Sequence, residues 1–190
     1  MKTIVVITQP STALNVVRWG AVFAQARDDS LLTVICCDFS RIKQAISPVD
    51  EKPSPNESVL IRKAREAVND MQGISVEILS MQHPKPSKMI VEHIENEESY
   101  DSLIVGVDYT LGRNEPGNRM GRYLLHFAPC DMLFLDPGNR DMDCCRKILV
   151  PMGGRLESFA LKTAVDCAKK WKSEIIPLET GVYFGSDSIQ

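Results

Sequence analysis

The chain has 190 residues, 44% hydrophobic and 25% charged, which is too apolar for disorder and somewhat more than one average domain. With 22 Lys and Arg against 25 Asp and Glu, the net charge is −3 and the pI near 5.7, so no basic field exists to hold a nucleic-acid backbone. No apolar run approaches the ~20 residues of a membrane span.

Met1-Lys2 leads directly into a strand-like run, without the charged and apolar regions of an export signal, so a cytoplasmic chain is expected. The 6 cysteines fit that expectation. Cys36-Cys37 and Cys144-Cys145 are adjacent pairs, no CxxC spacing occurs, and His83, His93 and His126 supply no spaced ligand pairs. Free thiols and no metal are expected.

Strand and helix signals then alternate. Thr3–Thr8 is a continuous β-branched run, and Pro10-Ser11-Thr12 can open a helix whose Val17, Ala21 and Ala24 share one face up to Ala26. Leu31–Cys37 is a second apolar block. Neither block alternates with polar residues, as parallel strands covered on both faces do not. Ser40–Asn56, with Pro48, Pro53 and Pro55, has no sustained period and is expected as a functional or mobile loop. Leu60, Ala64, Ala67, Val68 and Met71 recur at helical spacing, with Gly73 as the expected stop. Ile74–Leu79 alternates, as a strand nearer a sheet edge does. His83–Ser87 interrupts before a short helix carrying Met89, Ile90, His93 and Ile94, on which His93 is expected as a packed side chain. Ser102–Gly106 is the most strand-like run. A glycine-bearing loop follows to Gly117, then a helix, with its N-terminus near Asn118, through Tyr123, Leu124 and Phe127 to Ala128-Pro129. Met132–Leu135 closes a fifth strand. Five strands alternating with four helices predict a doubly wound α/β domain with a five-stranded parallel open sheet, over residues 1–138.

The pattern restarts in residues 139–190. Arg146-Lys147-Ile148-Leu149-Val150 parallels Lys2-Thr3-Ile4-Val5-Val6, Phe159, Thr163, Cys167 and Trp171 trace a helical stripe, and Ile175–Leu178 is strand-like. This reads as the opening β-α-β third of a second copy. Such a unit is marginal alone, and is expected to rest on the first domain or on a partner chain.

In an open parallel sheet the ligand site lies at the carboxyl ends of the strands, where strand order reverses. That selects Thr8–Ser11 and Gly106–Arg122. The second segment combines Gly106, Gly112 and Gly117, a helix N-terminus at Asn118, and Arg113, Arg119 and Arg122, a composition suited to an anion. An ordinary surface loop carries the same glycines. Gly112 and Gly117 have P-loop spacing, but Asn118-Arg119 stands where Lys and Ser/Thr belong. Glu92, Glu95, Glu97 and Glu98 read as a solvated helix face, and nothing pairs a nucleophile with a base, so the expectation is a non-enzyme.

A hydrophobic strand ending in Gly106, a glycine-bearing loop, a helix, His126-Phe127-Ala128-Pro129-Cys130 and an apolar strand together resemble the universal stress protein domain over residues 2–136. The resemblance implies a Rossmann-like fold of the adenine nucleotide α-hydrolase-like (HUP) superfold and a stress-response or regulatory role. It also implies assembly as a dimer or tandem, and in some members fusion to a transporter. Some members bind ATP; ATP or AMP is the ligand class implied here. The nucleotide-binding pattern is Gly, two residues, Gly, nine residues, Gly and then Ser/Thr. Here Gly106 is kept, Tyr109 stands at the second glycine, Asn118 at the third beside Gly117, and Arg119 at the hydroxyl position. The family's acidic residue after the first strand falls at Gln9. A tyrosine where backbone meets phosphate implies a degenerate or altered site.

Two other readings stay open. Pro151–Ser158 resembles the Ser-Gly-Gly-x-Asp-Ser loop of ATP pyrophosphatases, without its leading serine and with Glu157 for Asp, which would make the chain a nucleotide-using enzyme. Alternatively, Asp131–Leu135 pairs with a partner's edge and the chain serves assembly.

Overall fold

The computed structural model describes residues 1–37, 46–49, 58–97, 100–106, 116–135, 147–152 and 157–179. The chain divides into two compact units, Met1–Arg140 and Asp141–Gln190.

In the first unit β1 (Lys2–Ile7) is central, as its continuous apolar run predicts: Ile4, Val5, Val6 and Ile7 are each at most 1% exposed. It pairs in parallel with β2 (Leu31–Cys37), Lys2 opposite Leu31. On its other side it pairs with β5 (Ser102–Gly106), Thr3 opposite Ser102. β4 (Ser75–Met81) lies outside β2, and β6 (Asp131–Leu135) outside β5, both parallel. These five parallel strands with flanking helices are the doubly wound α/β fold.

A sixth, antiparallel strand extends the expected five-stranded parallel sheet. β3 (Ile46–Pro48) pairs antiparallel with β4 at the edge, within the stretch read as an irregular loop, and the order is β3-β4-β2-β1-β5-β6. Three residues ending in proline leave no alternation to detect, and an edge is where a sheet tolerates proline.

α1 (Pro10–Ala26) lies against β1, and Gly20 makes that approach possible, because a Cβ there would collide with Val5. It ends in a Schellman turn: Asp28 takes a φ of 54°, and the Asp29 N–H donates to the Ala24 carbonyl at 2.9 Å. α2 (Val59–Val68) is capped by Ser58, whose hydroxyl accepts from the Ile61 N–H at 3.3 Å. This helix stops before Met71; Asn69 and Asp70 form the turn, and Gly73 serves its positive φ of 82° beyond it. α3 (Pro86–Glu97) and α4 (Pro116–Phe127) bury Ile90, Val91, Ile94, Met120 and Leu124 against Ile4, Val6, Leu103 and Val105. α4 begins at Pro116, earlier than expected, because proline suits the first helical position.

The second unit is a β-α-β: β7 (Lys147–Met152), α5 (Glu157–Trp171) and β8 (Glu174–Glu179), with Lys147 opposite Glu174 in parallel. Val150, Ala164, Cys167 and Ala168 are buried. α5 also ends in a left-handed residue, Lys172 at φ 55°, and the Ser173 N–H donates to the Ala168 carbonyl at 3.1 Å.

Candidate functional site

Strand order reverses at β1: the chain runs outward from it through β2 to β4, then crosses back to β5 on its other side. Val6 stands opposite Val105, so β1 and β5 end side by side at Ile7 and Gly106. The crevice beyond these ends is the expected ligand position.

Gln9 lies at this crevice as the N-cap residue of α1, with extended backbone (φ −127°, ψ 129°) and no capping bond from its side chain. Its carbonyl accepts from the Thr12 and Ala13 N–H groups at 3.3 and 3.0 Å. The carboxamide is therefore not used by the helix. Neither α1 nor α4 has an acidic residue in its first turn, so both helix N-termini keep their partial positive charge at the carboxyl end of the sheet.

Gly106 has a structural role independent of any ligand. A Cβ there would come 2.5 Å from Val16 Cγ2, so the glycine lets α1 close against the end of β5. Gly117 and Asn118 lie in the first turn of α4 rather than in a loop, and Arg119 follows them, exposed. Arg122 is exposed one turn farther along, about 4.5 Å deeper at 1.5 Å per residue. The structure thus brings Gln9, Gly106, Gly117, Asn118 and Arg119 to one end of the sheet and sets Arg122 back. Tyr109, Gly112 and Arg113 lie outside the described residues, as do Cys144, Cys145 and the Gly153–Leu156 part of the pyrophosphatase-like segment.

Elsewhere the chemistry-bearing side chains are occupied structurally. Glu92 pairs with Lys88 at 3.3 Å on the solvated face of α3. The His93 ring leans on Tyr100, with centroids 5.7 Å apart, and Nε2 is buried without a hydrogen-bond partner among the described residues. Tyr100 meets Thr33 hydroxyl to hydroxyl at 3.1 Å, and burial raises its phenol above the ordinary range despite that bond. Cys36, Cys37, Cys130 and Cys167 are in no disulfide. Burial, and then Cys36, pushes the Cys37 thiol far up; burial, then Asp131 and Asp101, pushes Cys130 up to about 11. Neither thiol is an activated nucleophile. Among the described residues no group of His, Cys, Asp and Glu is placed to hold a metal, and no helix is long and apolar enough to cross a membrane.

One polar cluster escaped the sequence reading, at the opposite, amino end of the sheet. The buried Thr3 hydroxyl donates to Asp29 Oδ2, the Arg27 guanidinium donates to Ser102 Oγ, and Arg27 Nε stands 4.0 Å from Asp29 Oδ1. Arg27-Asp28-Asp29, just past the helix end at Ala26, gave no sign of it. The available signal was a hydroxyl residue, Thr3 or Ser102, beginning each of two otherwise apolar strands.

No family model matches this sequence, and no curated protein matches it. Among solved structures, similar chains include two universal stress proteins. One, in complex with cAMP, shares 16% identity at a TM-score of 0.46, over 72% of this chain and 98% of that one. Another, from Archaeoglobus fulgidus, shares 15% identity at a TM-score of 0.45, over 70% and 97%.

Proposed function

We propose that this chain is a non-enzymatic regulatory module of the universal stress type, cytoplasmic, which binds an adenine nucleotide through an altered site at the carboxyl ends of β1 and β5. The observation that carries the reading is the reversal of strand order at β1, with the N-termini of α1 and α4 and the unengaged Gln9 carboxamide at that end. The phosphate rests on the first turn of α4, where Gly117, Asn118 and Arg119 stand, and Gln9 replaces a carboxylate toward the ribose or base. No described cysteine, serine or histidine forms a nucleophile–base pair at this end, which supports binding without turnover.

The test is calorimetric titration of the full chain with AMP and ATP. Binding that weakens about tenfold in Arg119→Ala supports the reading, on the scale of one charge-assisted contact. Micromolar ATP binding indifferent to that substitution, or ATP hydrolysis above ~1 per second, contradicts it.

Two further features support a tandem and self-associating protein. Asp28 and Lys172, 144 residues apart, occupy the same left-handed position at the ends of α1 and α5, each followed by the same six-residue backbone closure. That likeness favours a second, partial copy of the first β-α-β. Separately, β6 is an edge strand with Met132, Leu133, Phe134 and Leu135 all only half-buried, and on α4 Leu125 and Phe127 are 57% and 58% exposed. An apolar edge of this kind favours a second copy as its partner.

A further inference from the structure

The sheet register sets a second glutamine level with the first. Ile7 is opposite Cys36, and Cys36 is opposite Ser80, so the ends of β1, β2 and β4 stand at one height. Gln9 lies two residues beyond Ile7, and Gln82 two residues beyond Ser80. β2 runs between their strands, which puts β1 and β4 about 10 Å apart at two inter-strand spacings. The two residues therefore stand at about one height, one on either side of the end of β2.

Gln82 is also incompletely satisfied. Its Nε2 donates to Ser80 Oγ at 3.3 Å, while Oε1 is buried with no hydrogen-bond partner among the described residues. A buried acceptor left without a partner is costly and calls for a physical reason. The terminal torsion of glutamine is broad, so Oε1 and Nε2 can exchange places to suit a ligand. We infer that Gln82 reads the base of the bound nucleotide, with Oε1 accepting from an exocyclic amine and Nε2 donating to the adjacent ring nitrogen. A carboxamide makes this bidentate match with the N6 and N7 edge of adenine; guanine presents two acceptors there, N7 and O6, and leaves Oε1 still unpaired. Gln82 is thus the specificity-determining residue, and Gln9 bounds the far side of the same base. The inference rests on the nucleotide-binding reading of this crevice.

Three probes separate the two claims: AMP, GMP and ribose 5-phosphate, each titrated calorimetrically into the full chain and into Gln82→Leu. The wild-type chain prefers AMP to GMP by about tenfold or more. Gln82→Leu abolishes that preference and leaves ribose 5-phosphate binding unchanged, because leucine keeps the volume and removes the acceptor. Far-UV circular dichroism verifies that the variant is folded, and Gln82→Glu, which keeps an acceptor but loses the donor, gives a second reading through a weakened preference. Equal binding of AMP and GMP by the wild type overturns the role of Gln82. So does an AMP preference that survives Gln82→Leu while ribose 5-phosphate still binds, and in that event the phosphate site stands. Failure of all three probes to bind overturns both claims.

Discussion

Replacing Gly106 with alanine tests whether this glycine is held by packing. The added methyl carbon would lie 2.5 Å from Val16 Cγ2 and 3.4 Å from Cγ1, against an optimal carbon–carbon separation of about 3.5–4.0 Å. A gap of about 1 Å must therefore open between α1 and β5. α1 cannot yield freely, since Gly20 holds it against Val5 along the same face, and Val16 is 1% exposed. Overpacking of this kind costs about 1–3 kcal/mol, offset by about 0.4–1 kcal/mol because alanine narrows the unfolded ensemble. The middle of these ranges gives a net loss of about 1.3 kcal/mol, read as a lower urea midpoint at unchanged slope by far-UV circular dichroism. Val16→Ala alone removes two methyl groups and costs about 2 kcal/mol. In the double variant the collision disappears, so its loss should fall short of the sum by at least ~1 kcal/mol. Strict additivity, or a neutral Gly106→Ala, would refute the packing argument.

Asp29→Ala leaves the Arg27 guanidinium buried without its carboxylate and should cost about 3–5 kcal/mol in urea unfolding, whereas a loss below ~1 kcal/mol would show that Arg27 reaches solvent. The Cys130 thiol, raised from an ordinary 9.0 to about 11, should resist alkylation at pH 8 and gain rate only as pH climbs toward 11. Because the folded state holds that proton more tightly than the unfolded chain, its contribution to stability is whole below pH 9 and lost as pH rises through 11; rapid labelling of folded protein at pH 8 would contradict this. Leu125→Glu, on an exposed position, should turn a dimer into a monomer in sedimentation velocity, and a dimer untouched by it would remove this face of α4 from the interface.

How much of this was legible in the sequence depended on the kind of signal. The parallel strands were plain because burial on both faces leaves unbroken apolar runs such as Ile4–Ile7 and Leu103–Val105. β3 was not, since three residues ending in Pro48 show no period and form through pairing with β4. The end of α2 was misplaced at Gly73 because Asn69 and Asp70 had already made the turn. At the site, strand order located the crevice and so found Gln9 and Gly106, but it could not distinguish a glycine kept for a phosphate from one kept for Val16. Gln82 was missed altogether. A single glutamine after a strand carries no pattern, and only the register of β1, β2 and β4 sets it level with Gln9.

The most direct test of the account is a crystal structure of the chain grown with AMP. The account predicts a phosphate on the first turn of α4, beside Gly117 and Asn118, with the base lying over the end of β2 between Gln9 and Gln82. Nucleotide density at the amino ends of the strands, or none at saturating AMP, would contradict it.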